Sequence, residues 1–281
     1  MRIRIAHSPD SDDAFMFYAL TAGKVQTEHF QIEHVLADIE TLNREALKGA
    51  YEVSALSFHA YPYVADKYLV LPSGGSVGDG YGPLVVSRES LKTLKCKRVA
   101  VPGRLTTAYL TLKLYEPDFE EVVVPFDKVL YAVREGTVDA GLVIHEGQLS
   151  YADMGLEKVV DLGLWWKEKT GLPLPLGCNV IRKDLGWENI KKFEVLMRES
   201  IEYALKHKEE ALSFAREYAR DIKEDQERTE RFVSMYVNQR TLDYGEDGRR
   251  AVKVLLQMGV ERGIIKANMP SVMFSDEVES L

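Results

Sequence analysis

The chain has 281 residues, of which 46% are apolar, so it can bury a large core and is long enough for two modest domains. Its net charge of -8 opposes binding to nucleic acid phosphates and to anionic membrane surfaces. No apolar run reaches transmembrane length, and acidic residues follow the first strand before a signal-peptide apolar region could form. We therefore predict a cytoplasmic protein with no nucleic acid or membrane partner.

The first part of the chain alternates between strand and helix patterns. Charged and apolar residues alternate over residues 2–8, and a helical spacing follows from Asp12 towards Gly23. A second strand at 30–37 and a second helix at 39–49 repeat this order, and further strands are predicted at 51–57 and 68–71. Alternating strands and helices predict a largely parallel sheet.

The segment 73–83, SGGSVGDGYGP, contains five glycines. It lacks the Gly-Lys-Ser/Thr ending of a phosphate-binding loop and does not open a helix, so we predict a flexible crossing loop beside a cleft. A strand, LVVSR, follows at 84–88.

After Lys95 the strand and helix alternation starts again and continues to a strand at 178–183. From Trp187 onward the pattern is helical. The predicted fold class is α/β, with two βαβ lobes whose largely parallel sheets are joined by two crossing strands. Residues 1–86 and 183–281 form the larger, discontinuous lobe, residues 87–182 form the smaller one, and a ligand binds in the cleft between them.

The candidate base is His145, which follows the apolar run AGLVI within EGTVDAGLVIHEGQ. An apolar run of this kind predicts a buried strand, and in open α/β sheets ligands bind beyond the carboxyl ends of the strands. Because histidine titrates near neutral pH, it is suited to general base catalysis. The alternative is a strand-end histidine with only a packing role, and His7 at the end of the first strand is the rival candidate.

The stretch VPGRLTTAY at 101–109 predicts an anion site at the start of a helix. Helix N-termini present unpaired N–H groups, so Thr107 and the backbone of Ala108 are candidate ligand contacts, although simple capping by Thr106 also explains the sequence. Ser57 follows the third strand and Asn43 lies within the second helix, and both are candidates for the same cleft.

Asp10, Asp12 and Asp13 precede or open the first helix. Interaction with the helix dipole accounts for them, and an oxygen-ligated cation is the alternative. No pair of histidines has metal-ligand spacing, and neither Cys96 nor Cys178 lies in a disulfide or zinc motif, so we predict no metal site.

Several segments together resemble the 1,4-dihydroxy-6-naphthoate synthases of the futalosine route to menaquinone. They are TLNREAL (41–47), SGG (73–75) with GPLVVSR (82–88), VAVPGRLTTAY (99–109), VDAGLVIHE (138–146) and DLGLWWKEKTGLPLPLG (161–177). The resemblance covers most of the chain. It implies a periplasmic-binding-protein type II fold used by a cytoplasmic carbon–carbon lyase, which releases the dihydroxynaphthoate from cyclic dehypoxanthine futalosine.

The resemblance also implies roles for individual residues. The family's base falls on His145, and its substrate contacts fall on the following residues: Asn43, Ser57, Thr107, Ala108 and Asp13. No cofactor and no metal are implied, and the partner is a small-molecule substrate.

One segment departs from the family pattern. That pattern is similar to SPCPNDTFIF, whereas this chain has SPDSDDAFMF. Carboxylates at Asp10 and Asp12 that face the cleft would disfavour an anionic substrate by like-charge repulsion. The alternatives are a chorismate dehydratase-like enzyme of the same fold and a non-catalytic small-molecule binding protein.

Overall fold

The structure is a computed structural model that describes residues 1–27, 29–219, 222–267 and 272–278. Its eleven strands within these ranges are β1 Arg2–His7, β2 Gln31–Leu36, β3 Val53–Ser57, β4 Tyr68–Val70, β5 Ser76–Gly78, β6 Leu84–Ser87, β7 Arg98–Val101, β8 Glu120–Val123, β9 Ala140–Val143, β10 Glu157–Asp161 and β11 Leu174–Arg182.

The helices are, in chain order, α1 Ser11–Thr21, α2 Ile39–Leu47, α3 Thr107–Tyr115, α4 Val129–Arg134, α5 Gly147–Ser150, α6 Leu162–Thr170, α7 Trp187–Lys206, α8 Lys208–Ala215, α9 Gln226–Tyr236, α10 Gln239–Leu242 and α11 Gly245–Glu261. None of the described helices is both long enough and apolar enough to cross a membrane.

The strands form two sheets. In the first the order is β2-β1-β3-β11-β4, with β5 also paired to β11; in the second it is β10-β6-β9-β7-β8. We call the first sheet with its packed helices lobe one and the second sheet with its helices lobe two. The predicted α/β class with two sheets is confirmed.

The two crossing strands, β6 and β11, explain the mixture of strand directions. The pairs β1 with β2, β1 with β3, β7 with β8 and β7 with β9 are parallel, as expected for βα units. All of the antiparallel pairs include β6 or β11. The chain changes sheet between Gly78 and Leu84 and again between Asp161 and Leu174. The predicted lobe boundary 86/87 falls within β6 and the boundary 182/183 falls at the end of β11, and the division into these domains stays a prediction.

The glycine-rich segment 73–83 differs from the flexible loop that we expected. It contains β5, which pairs with β11. A side chain at Gly78 would collide with the backbone carbonyl of Tyr81, so glycine at this position permits a tight reversal of the chain.

The helical tail packs on lobe one. Helix α1 contacts α7, α8 and α9, and ten of its eleven residues are buried. A helix that is buried on all sides needs apolar residues on all sides, which accounts for the sequence AFMFYAL. The start of α1 is thereby held at the edge of the first sheet, next to lobe two.

Candidate active site

The turn between β1 and α1 forms the first wall of the site. Asp10 occupies the position before the helix, where an aspartate ordinarily accepts hydrogen bonds from the N–H groups of the first turn. The Asp10 side chain makes no such bond. It accepts a hydrogen bond from the Ser8 hydroxyl, and its Oδ2 lies 3.1 Å from Nδ1 of His145. This carboxylate therefore reaches from lobe one to lobe two.

His145 lies two residues beyond β9, in lobe two. Its φ of 54° is left-handed, which is uncommon for a residue other than glycine and costs free energy. The ring packs edge-on against Phe126, with ring centroids 5.0 Å apart. The other ring nitrogen, Nε2, is buried without a hydrogen-bond partner among the described residues. A strained backbone and an unpartnered buried nitrogen are features typical of a functional histidine.

Two further aspartates, on the first turn of α1, line the same cleft. Burial raises the pKa of Asp12 well above its ordinary value, and the neighbouring carboxylates of Asp13 and Asp10 raise it further. Burial also raises the pKa of Asp13 to about 7, although the N–H of Ser8 donates to its Oδ2 over 2.7 Å and opposes the shift. At neutral pH these side chains therefore carry less negative charge than their number suggests.

Ser57 ends β3 at the same edge of the first sheet, and Asn43 on α2 holds it there. The N–H of Ser57 donates to Oδ1 of Asn43 over 2.8 Å, and Nδ2 of Asn43 donates to Oγ of Ser57 over 3.1 Å. Asn43 is completely buried. Both ends of its amide are therefore used to fix the position of the serine.

The start of α3 contributes the opposite wall. Thr106 is the N-cap, since its side chain accepts from the N–H of Tyr109, and Thr107 and Ala108 are the next residues. The Thr107 hydroxyl donates to the carbonyl oxygen of Leu176 and accepts from the N–H of His59. Thr106 caps one N–H group of the helix, and the first N–H groups of α3 still have no acceptor within the helix.

These walls enclose one cavity between the lobes. Five of the six predicted site residues line it, namely Asp13, Ser57, Thr107, Ala108 and His145. The sixth, Asn43, is not on the surface of the cavity but lies behind Ser57. The structure therefore brings together residues from both lobes that are up to 132 positions apart in the sequence.

Other polar residues of the cavity were missed by sequence reasoning. Tyr236, on helix α9 of the tail, donates from its hydroxyl to Oε1 of Gln148 over 2.9 Å. Asn179 on β11 has a buried Oδ1 without a hydrogen-bond partner among the described residues. No local pattern marks these positions, because each reaches the cleft only through the packing of distant elements.

His7, the rival candidate, is a core residue. It is stacked on Phe17 with ring centroids 4.5 Å apart, and its Nε2 lies 3.0 Å from Nδ1 of His34. Burial lowers the pKa of His7 to about 3, and the neighbouring His34 contributes to this shift. His7 does not line the cavity.

The acidic residues do not form a metal site by their arrangement. Among the residues that the structure describes, no group of three or more His, Cys, Asp or Glu side chains could hold a metal ion.

The two lobes, the two crossing strands and the cleft between them are those of the periplasmic-binding-protein class. A solved structure of the periplasmic aliphatic sulphonate binding protein of Escherichia coli matches this chain with a TM-score of 0.64 at 11% identity, covering 94% of this chain and 88% of that one. At that identity the match shows the fold alone.

The sequence defines the family more narrowly. The chain matches the menaquinone biosynthesis family over residues 3–261, and it belongs to that family. It is 47% identical over 262 residues to a 1,4-dihydroxy-6-naphthoate synthase of Thermus thermophilus, which covers 93% of this chain and 95% of that protein. A crystal structure of a protein from Archaeoglobus fulgidus is 53% identical, with a TM-score of 0.91 over 94% of this chain and 98% of that one.

Proposed function

We propose that this protein is a 1,4-dihydroxy-6-naphthoate synthase, a cytoplasmic carbon–carbon lyase that converts cyclic dehypoxanthine futalosine into 1,4-dihydroxy-6-naphthoate. The observation that carries the proposal is the 47% identity, over nearly the full length of both chains, with the Thermus thermophilus synthase. The cavity between the lobes is lined mainly by apolar surface with a histidine and a few other polar side chains, which is consistent with a small-molecule substrate.

His145 is the general base of the proposed reaction. Its Nε2 takes a proton from the sugar-derived part of the substrate, and bond cleavage and aromatisation follow. Support for this role comes from the position of His145 on the cavity and from the absence of a hydrogen-bond partner for Nε2 among the described residues. A positioned base of this kind contributes roughly 10²- to 10⁴-fold to a rate.

The substrate contacts divide into two groups. The N-terminus of α3, with Thr107 and Ala108, holds a polar or anionic group of the substrate, because its N–H groups and the helix dipole favour negative charge. Ser57 and Asp13 face the same cavity from lobe one. Asn43 acts by holding Ser57 in place, since both of its amide atoms are bonded to that residue.

Asp12 and Asp13, the two aspartates of the SPDSDDAF segment that line the cavity, are compatible with this substrate. Like-charge repulsion requires ionised carboxylates, and burial raises the pKa of both Asp12 and Asp13. Protonated carboxyl groups can donate hydrogen bonds to a polar substrate instead of repelling it.

The test is turnover of cyclic dehypoxanthine futalosine by the purified protein, followed by naphthoate absorbance. We expect turnover in the unmodified protein and a loss of about 10³-fold in His145→Ala. His29→Ala is the matched control, because His29 is exposed and does not line the cavity. Its activity should equal that of the unmodified protein.

Three outcomes would contradict the proposal. Conversion of chorismate without conversion of the futalosine derivative would indicate the dehydratase of the same fold. Tight binding of a small acid without any conversion would indicate a binding protein. Full activity in His145→Ala would remove the histidine from its proposed role.

A further inference from the structure

Two residues in contact with His145 come from different places in the fold. Phe126, which packs against the edge of the ring, belongs to lobe two, as His145 itself does. Asp10 lies in the turn between β1 and α1 in lobe one, and its Oδ2 is 3.1 Å from Nδ1 of the imidazole. Asp10 is 1% exposed, so water screens this contact weakly.

Near this pair, three more polar contacts join the two lobes. Ser11 donates from its hydroxyl to Oε1 of Glu146 over 2.6 Å, and Tyr236 donates to Gln148. Arg228 pairs with Asp153. In these three contacts the lobe-two partners follow β9 and the lobe-one partners lie on α1 or α9. In the described conformation these contacts hold the end of β9 in lobe two against α1 and α9 in lobe one.

We propose that Asp10 is a positioning residue that prepares His145 to act as the base, and that closure of the cleft assembles the pair. This inference rests on the proposed function. An ionised carboxylate only accepts hydrogen bonds, so contact with Asp10 places the proton of the neutral imidazole on Nδ1. The lone pair is then on Nε2, the nitrogen that has no partner among the described residues.

The chemistry of the step is a simple proton transfer. A proton leaves a carbon of the substrate for Nε2, and its electron pair stays on the substrate to begin bond cleavage. His145 becomes an imidazolium, whose positive charge the Asp10 carboxylate stabilises without taking the proton itself. Because the two residues belong to different lobes, an open cleft would separate them and leave the base unprepared.

Asp10 also replaces a cysteine of the family pattern, which the resemblance to SPCPNDTFIF places at the same position. The carboxylate is thus a feature of this chain and not of the pattern.

The first measurement compares Asp10→Asn with Ser11→Ala. Asparagine keeps the shape of the side chain but can donate to Nδ1 and so favour the other tautomer. We expect kcat to fall on the order of 100-fold in Asp10→Asn, with KM changed less than about threefold. Ser11→Ala removes a neighbouring contact between the same lobes without touching His145, and it should change neither constant more than about threefold. An equal loss of kcat in both variants would overturn the inference, because it would reduce Asp10 to one of several contacts that hold the lobes together.

The second measurement does not depend on turnover. Long-range ¹⁵N–¹H NMR of the histidine rings, recorded in alkaline buffer and assigned with His145→Gln, reports which nitrogen of neutral His145 carries the proton. We expect Nδ1 in the unmodified protein and a shift towards Nε2 in Asp10→Asn. Asp10→Cys, which restores the residue of the family pattern, is the second variant if the asparagine protein folds poorly, and it should also lose the Nδ1 preference. The same tautomer population in all three proteins would overturn the inference. If the protein does not convert the futalosine derivative and the tautomer still shifts, the proposed function fails and the pairing of Asp10 with His145 stands.

Discussion

The carboxyl ends of β1 and β9 both carry a histidine, one in each lobe. His7 is the last residue of β1, and its ring is enclosed by Phe17 and His34. His145 comes two residues after β9, with a left-handed backbone and its ring on the cavity. The last residue within a strand still belongs to the packed layer, whereas a residue beyond it can turn into the cleft. A difference of two residues in position relative to the end of the strand therefore distinguishes a core histidine from a candidate base.

The largest expected effect is on catalysis at the β9 end. His145→Gln should lower kcat by about 10³-fold, because the glutamine amide cannot accept a proton at neutral pH. The melting temperature should fall by only a few degrees, since the side chain is 18% exposed and fills little of the core. Steady-state kinetics and thermal unfolding of the same preparation separate the two effects. A melting point that fell as far as for a core substitution would make His145 structural.

The next effect is on stability at the β1 end. His7→Ala should lower the free energy of unfolding by about 2–4 kcal/mol, the usual range for truncating a large buried side chain. Turnover per folded molecule should stay within about threefold. Urea unfolding at pH 7 measures the loss.

The penalty of His7→Ala should also depend on pH. The pKa of His7 is about 3 in the folded protein, against an ordinary value of 6.5 for histidine. The neutral ring therefore contributes stability that is fully present above about pH 6.5 and is lost as the pH falls towards 3. The difference in the free energy of unfolding between the unmodified protein and His7→Ala should therefore be smaller at pH 4 than at pH 7. An equal penalty at both pH values would contradict the assignment of His7 to the core.

A substitution at Asp13, close to the carboxyl end of β1, should have a smaller effect on stability than His7→Ala and should increase the free energy of unfolding. Its pKa is about 7 in the folded protein against an ordinary value of 3.8 for aspartate. Its contribution to stability is therefore fully present below about pH 3.8 and is lost as the pH rises through 7. Asp13→Asn imitates the protonated acid and should stabilise the protein by more at pH 8 than at pH 5, with a difference of at least about 1 kcal/mol. Melting curves at the two pH values measure this difference. No change between them would show that Asp13 titrates normally.

The smallest effect on stability is expected at the amino end of β1. Arg2 pairs with Glu33 on the surface, where both side chains are largely exposed. Arg2→Ala should change the free energy of unfolding by less than about 1 kcal/mol, and 1 M salt should remove the difference. A larger loss would mean that β1 is sensitive along its whole length and not only where it meets the cleft.

The sequence was sufficient for those parts of the site that follow from βα order. Strands whose carboxyl ends share an edge place Ser57, the start of α3 and His145 around one cleft, and the structure has them there. The position of Asn43 behind Ser57 could not be predicted, because a side chain on α2 can face either the cleft or the sheet. Its catalytic relevance, like that of the other site residues, stays a prediction.

The contact between Asp10 and His145 could not be predicted from the sequence for another reason. The two residues are 135 positions apart and belong to different lobes, and interaction with the helix dipole already gave a sufficient local account of Asp10. The only signal was the departure from the family pattern at SPDSDDAF, and it was interpreted in terms of charge. Tyr236 and Asn179 carried no signal, since their places in the cavity depend on how the tail and β11 pack.

The place of β11 has a consequence for how the chain is made. This strand joins β3 to β4 and β5, yet it is the last described strand to leave the ribosome. All strands of lobe two are complete by Asp161, before β11 begins at Leu174. The nascent chain can therefore finish its second sheet while the first, begun earlier, still lacks the strand that holds its two halves together. The second sheet is therefore complete before the first, and the edges of β3 and β4 that pair with β11 stay unpaired until that strand has left the ribosome.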